Sequence, residues 1–311
     1  MSRLLAIVGP TGIGKSKMAV RLAQVFDGEI VSADSRQVYR HMDIGTAKPD
    51  RQELSLILHH LINVVNPDEA FNLAQYQALA YEAIKDIQQH NKLAILTGGS
   101  GLYVWSVLES WEIPKSPPDL EFRHAMEEKL ASVGKDGLYR ELMEVDPVAA
   151  QRIDPRNVRR TIRALEVHRN TETPFSQLQH KKTLPVNTLI LGLTTDRSEL
   201  YRRIDLRVDK MIEQGLVAEV EKLMNMGCDF DLPAMSGIGY RQIGMFLKGE
   251  LTLDTAVQQI KSETHRFVRH QYNWFRLRDS RIQWFDLQGE VIPGITALVA
   301  EFAEGVRLEQ S

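Results

Sequence analysis

Residues 9–16 read Gly9-Pro10-Thr11-Gly12-Ile13-Gly14-Lys15-Ser16 and match the phosphate-loop pattern G-x-x-x-x-G-K-S/T. The apolar run Leu4–Val8 precedes the motif, and apolar residues at helical spacing follow it as far as Phe26. Glycines let backbone N–H groups curl around phosphate oxygens, and the helix N-terminus adds partial positive charge. The sequence therefore predicts a phosphate or pyrophosphate site, with Lys15 as a point charge and the Ser16 hydroxyl as a Mg²⁺ ligand.

Strands and helices alternate around this motif. Further strands are predicted at Glu29–Ser32, Leu93–Thr97 and Thr188–Leu193, and a capping box at Asn72 opens a helix. Such alternation is typical of the α/β class. We therefore expect a P-loop NTPase-like parallel sheet core flanked by helices, with the carboxyl ends of its first strands at one ligand-binding edge.

The pattern changes near Ile113, where a Pro-rich stretch begins. The following residues are mostly helical in pattern, with breaks predicted at Gly134, Gly137, Pro147, Pro155 and Pro174. We interpret residues 113–185 as a helical insertion domain, and residues 1–112 and 186–311 as the catalytic core.

The composition indicates a folded protein of ordinary type. The chain has 311 residues, of which 43% are apolar and 25% charged, and this excludes a disordered or fibrous chain. The single Cys228 rules out an intramolecular disulfide and a Cys-based zinc finger. With no leader pattern and no run of about 18 apolar residues, we expect a cytoplasmic protein without a membrane segment.

Basic residues are concentrated in two regions although the net charge is −3. Residues 152–182 carry eight Lys or Arg against three acids, and residues 261–281 carry six against two. A locally positive surface can hold a polyanion whatever the global charge. The first region includes Lys181 and Lys182. In the second, Tyr272 and Trp274 suit stacking on unpaired bases, although Trp274 could equally belong to the core.

The first basic region is predicted to form a helix face. Asp154 would cap the helix and Pro155 would be its first residue. The arginines would then lie within about 100° of one another, with Glu166 as the only local acid. Such close positive charges repel one another, so the face would either bind an anion or be an ordinary solvated helix face. These arginines are Arg156, Arg159, Arg160 and Arg163.

Asp34 is the acid at a strand end, because Leu93–Thr97 is followed by Gly98-Gly99-Ser100 without one. Asp34 could be a base, a partner of the water around Mg²⁺, or a turn residue. A phosphate loop with two basic faces indicates a small phosphorylated donor and a nucleic-acid acceptor.

Taken together, a series of separate blocks resembles the bacterial tRNA dimethylallyltransferase family (tRNA isopentenyltransferases), in the family's order and over almost the whole chain. The blocks are Gly9–Ser16, Val31–Arg40, Met42–Pro49, His59–Ile62, Gly98–Tyr103, Val145–Pro147, Arg163–Val167, Ile238–Tyr240 and Gln271 with Trp274–Arg276. The resemblance implies transfer of a dimethylallyl group from dimethylallyl diphosphate to N6 of adenosine 37 in the tRNA anticodon loop, with release of diphosphate.

The resemblance also implies the site residues. Asp34 would be the base, Lys15 would neutralise the leaving group with Mg²⁺ at Ser16, and Ser100 would donate to the bridging oxygen. The diphosphate would be held by Gly9, Pro10, Thr11, Gly12, Ile13, Gly14, Lys15, Ser16 and Arg207, the last preferred over Arg203. The tRNA would contact Asp34, Ser35, Arg36, Gln37, Ser100, Arg123, Arg159, Arg160, Thr161, Ile162 and Arg163. We expect a monomer.

The chain departs from the family near its C-terminus, where His265 and His270 replace two expected cations. They would either bind tRNA more tightly at lower pH or be surface histidines. Three other functions remain open: a small-molecule kinase with Asp34 activating a hydroxyl, an isopentenyltransferase acting on free AMP, and a nucleic-acid-binding regulatory NTPase. The arginine face speaks against the kinase, and the insertion speaks against the AMP enzyme.

Overall fold

The computed structural model describes residues 3–114, 119–178 and 186–305. Contacts divide the chain into two compact units, one formed by Met1–Leu108 with Leu184–Ser311 and the other by Glu109–Thr183. The predicted boundary at 185 and the basic residues Lys181 and Lys182 lie outside the described residues.

In the described part of the chain, the strands form one six-stranded sheet in the order β3-β2-β4-β1-β5-β6. The strands are β1 Arg3–Val8, β2 Gly28–Ser32, β3 His59–His60, β4 Leu93–Thr97, β5 Asn187–Thr194 and β6 Ile282–Asp286. Every pairing is parallel, with Ile7 opposite Thr97 and Ala6 opposite Ile190. This confirms the α/β class with a parallel sheet.

Helices flank the sheet and form the smaller unit. They are α1 Lys15–Val25, α2 Arg51–Leu56, α3 Leu73–Gln89, α4 Gly101–Leu108, α5 Leu120–Val145, α6 Pro147–Arg152, α7 Val158–Thr171, α8 Arg197–Glu213, α9 Leu216–Asn225, α10 Tyr240–Leu247, α11 Leu253–Trp274 and α12 Ile292–Glu304. Helices α5–α7 belong to the smaller unit, with a short 3-10 turn at Phe175–Gln177.

The central strand is the most buried part of the larger unit. From Leu4 to Val8 no residue is more than 1% exposed, as expected of a parallel strand covered on both faces. The four predicted strands are confirmed to within one residue at each end, and so is the capping box that opens α3. The sequence does not predict β3 or β6, because β3 has two residues and β6 is an edge strand in which only Ile282 is buried, so neither shows a continuous apolar run.

The smaller unit has its own apolar core, which includes Phe122, Leu138 and Ile162. Gly134 breaks the helical geometry of α5 with φ 69°, as predicted, but the break predicted at Gly137 is wrong because that residue is helical. A lone glycine costs a helix only about 1 kcal/mol relative to alanine, which neighbouring packing easily offsets.

The predicted start of the arginine helix is also wrong. Asn157, not Asp154, caps α7, and its side chain accepts a hydrogen bond from the N–H of Arg160. Asp154 instead accepts hydrogen bonds from the backbone and guanidinium of Arg156, in a turn before the helix. Arg156 is therefore separated from the arginine face of α7.

Glu166 neutralises Arg163 of this face together with Arg123 from α5. It is fully buried and accepts two hydrogen bonds from Arg123, at 2.7 and 2.9 Å, and another from Arg163. Burial disfavours its ionised form, but the hydrogen bonds from Arg123 and Arg163 outweigh burial and lower the pKa of Glu166. The carboxylate thus ties α5 to α7.

We expect Glu166→Gln to destabilise the protein by about 2 kcal/mol at pH 7, since charge-assisted hydrogen bonds are lost. The lowered pKa means that the wild-type carboxylate stabilises the fold above the pKa of an unfolded Glu and loses this contribution as pH falls through its folded value. Urea unfolding should therefore show that the wild type and Glu166→Gln differ less in their free energy of unfolding as the pH becomes acid. The exposed Glu127→Gln on α5 is the control, and a difference independent of pH would contradict the account.

Candidate active site

Three loops meet at the carboxyl edge of the sheet. They follow β1, β2 and β4, and because these strands are parallel neighbours the loops leave the sheet side by side. Residues from all three, together with residues from α8, α10 and α11, line one cavity of about 790 Å³. The sequence-predicted convergence of Lys15, Asp34 and Ser100 on one crevice is confirmed.

The loop after β1 has the curvature of an anion-binding loop. Gly9, Gly12 and Gly14 have φ values of 139°, 81° and 106°, which favour glycine. Gly14 is the N-cap of α1, and no side chain among the described residues caps this helix. The first N–H groups of α1 therefore point out of the helix without a side-chain acceptor, beside Lys15 and Ser16.

Lys15 lines the cavity, and its Nζ donates a hydrogen bond to the carbonyl of Pro10 at 2.8 Å. Burial lowers the pKa of Lys15 to about 7, while the charge of Asp34 opposes the shift and that of Arg207 adds to it. An anion bound beside this group would favour its charged form.

Asp34 follows β2 and lies on the cavity wall. Its Oδ1 accepts a hydrogen bond from the backbone N–H of Arg36 at 2.8 Å. This oxygen therefore stabilises a turn, as one of the three interpretations of Asp34 predicts. Burial lowers the pKa values of both Lys15 and Arg207, and the negative charge of Asp34 offsets part of each shift. The carboxylate therefore lies within electrostatic reach of the phosphate loop.

Ser100 joins the loops that follow β2 and β4. Its Oγ accepts a hydrogen bond from the N–H of Ser35 at 3.0 Å and lies 3.2 Å from the Ser35 hydroxyl. Because a hydroxyl rotates freely, Ser100 can turn its proton into the cavity while it still accepts from Ser35.

The structure separates the two arginine candidates on α8. Arg207 lines the cavity and its Nη1 donates to the Thr11 hydroxyl at 3.2 Å. Arg203 pairs with Glu199 at 2.7 Å and does not line this cavity. Of the two arginines, Arg207 is therefore the one that contacts the phosphate loop.

Arg36 and Gln37, two of the predicted RNA contacts after Asp34, are half-buried and hold neighbouring loops. Arg36 donates to the carbonyls of Pro233 and Ala234, so its guanidinium holds the loop before α10. Gln37 donates to the carbonyls of Thr46 and Ala47. Both still line the cavity, but these contacts limit how freely either side chain can turn to RNA.

In the smaller unit, the predicted RNA contacts also divide. Arg159 and Arg160 are exposed on α7, while Arg123 and Arg163 are paired with Glu166. The side chains predicted to touch RNA at Thr161 and Ile162 are buried, the first donating to the carbonyl of Asn157 and the second packing in the core of the unit. Helical periodicity alone places these two on the inner face.

The second basic region lies on α11 and just after it. Arg266, Arg269 and Arg276 are exposed. Phe275 is a core residue, whereas Trp274 is 39% exposed. His265 is not a simple surface histidine, because it stacks on Tyr201 with ring centroids 4.0 Å apart, whereas His270 is exposed.

A sequence profile described as IPP transferase matches residues 37–278, which is more than half of the chain. The tRNA dimethylallyltransferase of Dehalococcoides mccartyi is 49% identical over 97% of this chain and 93% of its own length. The enzyme of the same name from Herpetosiphon aurantiacus is 47% identical over 96% of this chain and 94% of its own length.

The chain belongs to the IPP transferase family.

Solved structures agree with this assignment. A tRNA isopentenylpyrophosphate transferase from Bacillus halodurans is 38% identical, covers 98% of this chain and 97% of its own, and superposes with a TM-score of 0.73. A eukaryotic dimethylallyltransferase described as acting on tRNA is 26% identical, covers all of this chain and 82% of its own, and has a TM-score of 0.86. The fold is thus that of the IPP transferases, a P-loop NTPase-like α/β fold.

The charged and polar groups of this IPP transferase fit a metal bound together with phosphate. No cluster of three or more His, Cys, Asp or Glu suited to a metal occurs in the described ranges. Mg²⁺, however, commonly binds through one or two protein oxygens, substrate phosphates and water. The exposed Ser16 hydroxyl on the cavity wall meets that requirement.

Among residues 3–114, 119–178 and 186–305, no helix is both long enough and apolar enough to cross a bilayer.

We expect inorganic diphosphate to bind this IPP transferase more weakly as pH rises through 7, because free Lys15, with its pKa lowered to about 7, loses its proton. Binding at pH 8 should therefore return a proton to Lys15. Arginine stays charged in this range, so Lys15→Arg removes this proton uptake. Calorimetry in buffers of different ionisation enthalpy should show close to one extra proton taken up by the wild type at pH 8 and little difference at pH 6. If the wild type and Lys15→Arg took up the same number of protons at pH 8, Lys15 would not be the group that gains a proton when diphosphate binds.

Proposed function

We propose that this chain transfers a dimethylallyl group from dimethylallyl diphosphate to N6 of adenosine 37 in tRNA and releases diphosphate. The observation that carries the proposal is the single cavity, in a member of the IPP transferase family, lined by Lys15, Asp34, Ser100 and Arg207. Lys15 and Arg207 would stabilise an anionic leaving group, and the carboxylate of Asp34 would accept the proton that the amine must lose. The tRNA acceptor follows the names of its relatives.

The proposed reaction is a substitution at the allylic carbon of the donor. The bond between that carbon and the bridging oxygen of the diphosphate breaks, and a bond to adenosine N6 forms. The N6 proton passes to the carboxylate of Asp34, and the electron pair of the broken bond leaves with the diphosphate. Asp34 is suited to this task because only Oδ1 accepts the hydrogen bond from Arg36, which leaves Oδ2 for the acceptor.

The proposed leaving-group site consists of charges and dipoles already in place. The N–H groups at the start of α1, Lys15 and Arg207 would meet the phosphate oxygens, and Ser100 would donate to the bridging oxygen. Mg²⁺ held at Ser16 would supply further positive charge to the diphosphate. A site whose donors are fixed before substrate arrives need not reorganise as the C–O bond breaks.

Exposed arginines of α7 and, separately, of the second basic region would each contact phosphates of the tRNA. Arg159 and Arg160 are exposed on α7, and Arg266 and Arg276 are exposed in the second basic region. Contacts of this kind give affinity and orientation, while the choice of adenosine falls to the cavity. The monomeric state and the cytoplasmic location remain predictions.

The function is tested by incubating the protein with Mg²⁺, dimethylallyl diphosphate and unmodified tRNA, followed by nucleoside mass spectrometry. We expect an adenosine heavier by the mass of C₅H₈ at position 37. Asp34→Asn should bind both substrates and form no product, whereas the exposed Asp27→Asn should behave as the wild type. Product on AMP but not on tRNA, or consumption of ATP without a prenylated product, would refute the proposal.

We expect Arg159→Ala with Arg160→Ala to weaken tRNA binding and to reduce its salt dependence. Each phosphate contact contributes about 0.7–0.9 to the slope of log K against log salt, so the slope should fall by about 1.5. The exposed Arg140→Ala on α5 is a control of the same charge in the same unit. Filter binding between low and moderate salt measures the slopes. An unchanged slope in the double variant would show that Arg159 and Arg160 do not contact phosphates of the tRNA.

A further inference from the structure

Gln271 connects two of the loops that form the cavity. It lies on α11 and is 3% exposed, and both ends of its carboxamide are used. Its Oε1 accepts a hydrogen bond from the backbone N–H of Thr11 at 2.8 Å. Its Nε2 donates to the carbonyl of Gly99 at 2.9 Å. A single buried side chain thus bridges the loop after β1 and the loop after β4.

Close contacts on both sides fix this bridge. A Cβ at position 99 would lie 2.3 Å from the Gln271 Nε2, so only glycine lets the amide approach that carbonyl. On the other side, Thr11 is held twice, since its hydroxyl accepts from Arg207 while its N–H donates to Gln271. The bridge therefore has little freedom to shift without losing a hydrogen bond.

The two loops carry different parts of the proposed reaction. The loop after β1 would hold the diphosphate, and the residue after Gly99 is Ser100, whose hydroxyl faces Ser35. The distance between the phosphate loop and Ser100 decides whether that hydroxyl can reach the bridging oxygen of the donor. Misplacement of reacting groups by about 1 Å can cost about 100-fold in rate.

We propose that Gln271 is a positioning residue that sets this distance, an inference that rests on the proposed function. The carboxamide is suited to the task because it both accepts and donates, and the two loops offer one N–H and one carbonyl. A carboxylate of the same shape can only accept. An apolar side chain can do neither, and either change leaves buried backbone groups without partners.

The test uses Gln271→Glu and compares steady-state rates of variant and wild type at each pH. At pH 8 the ionised side chain would repel the Gly99 carbonyl. We expect a higher KM for dimethylallyl diphosphate, a lower kcat, and a loss in kcat/KM of at least about tenfold, with the KM for tRNA unchanged. At about pH 5.5 a protonated carboxyl can again donate to Gly99, so the ratio of variant to wild type should recover. Taking the ratio removes the titration of Lys15 from the comparison.

Two further variants keep the result interpretable. Gln271→Met has a similar shape without polar ends and should lose activity with no recovery in acid, even if the Glu variant folds poorly. Gln258→Glu makes the same change at an exposed position on α11 and should match the wild type. A loss in Gln271→Glu that is independent of pH, or one that leaves the KM for the diphosphate unchanged, would overturn the proposal. A wild type that forms no prenylated product would instead refute the proposed function.

Discussion

The parallel pairing of β2, β4 and β1 is the constraint on which the site depends. With these strands side by side and pointing the same way, the loops after Val8, Ser32 and Thr97 leave the sheet at one edge. This arrangement of strands, and not proximity along the chain, brings Lys15 and Asp34 near each other. The burial that stabilises the sheet also lowers the pKa of Lys15, so the same packing provides both the fold and a cation that responds to a bound anion.

Sequence patterns predicted the elements that carry strong local signals. The β1–loop–α1 unit combines an apolar run, glycines and a helix, and the capping box of α3 is likewise local, so both were predicted closely. Predictions were wrong where a local pattern is compatible with more than one structure. An Asp-Pro pair is typical of turns as well as of helix starts, and here Asp154 forms a turn while Asn157 caps α7. The edge strand β6 alternates buried, half-buried and exposed residues, so it lacks the continuous apolar run that marks the central strands.

Of the site, sequence could predict which residue types converge but not how each side chain is used. The partners of Arg36 lie about two hundred positions away, and the bridge from Gln271 to Thr11 spans 260 positions. The sequence marks Glu166 as the only local acid of the arginine face, yet only the folded structure shows that it is fully buried and accepts hydrogen bonds from Arg123 and Arg163. Such long-range contacts depend on packing between elements, which no local window contains.

In the proposed reaction, one sheet edge brings the leaving group and the acceptor amine into a single cavity. The most direct measurement is a crystal structure of the wild-type protein with Mg²⁺, a thio analogue of dimethylallyl diphosphate that resists cleavage, and an anticodon stem-loop. The account predicts the diphosphate against the N–H groups at the start of α1 beside Lys15, with adenosine N6 within hydrogen-bonding distance of Asp34. A diphosphate bound elsewhere, or an adenine amine facing another residue, would contradict it.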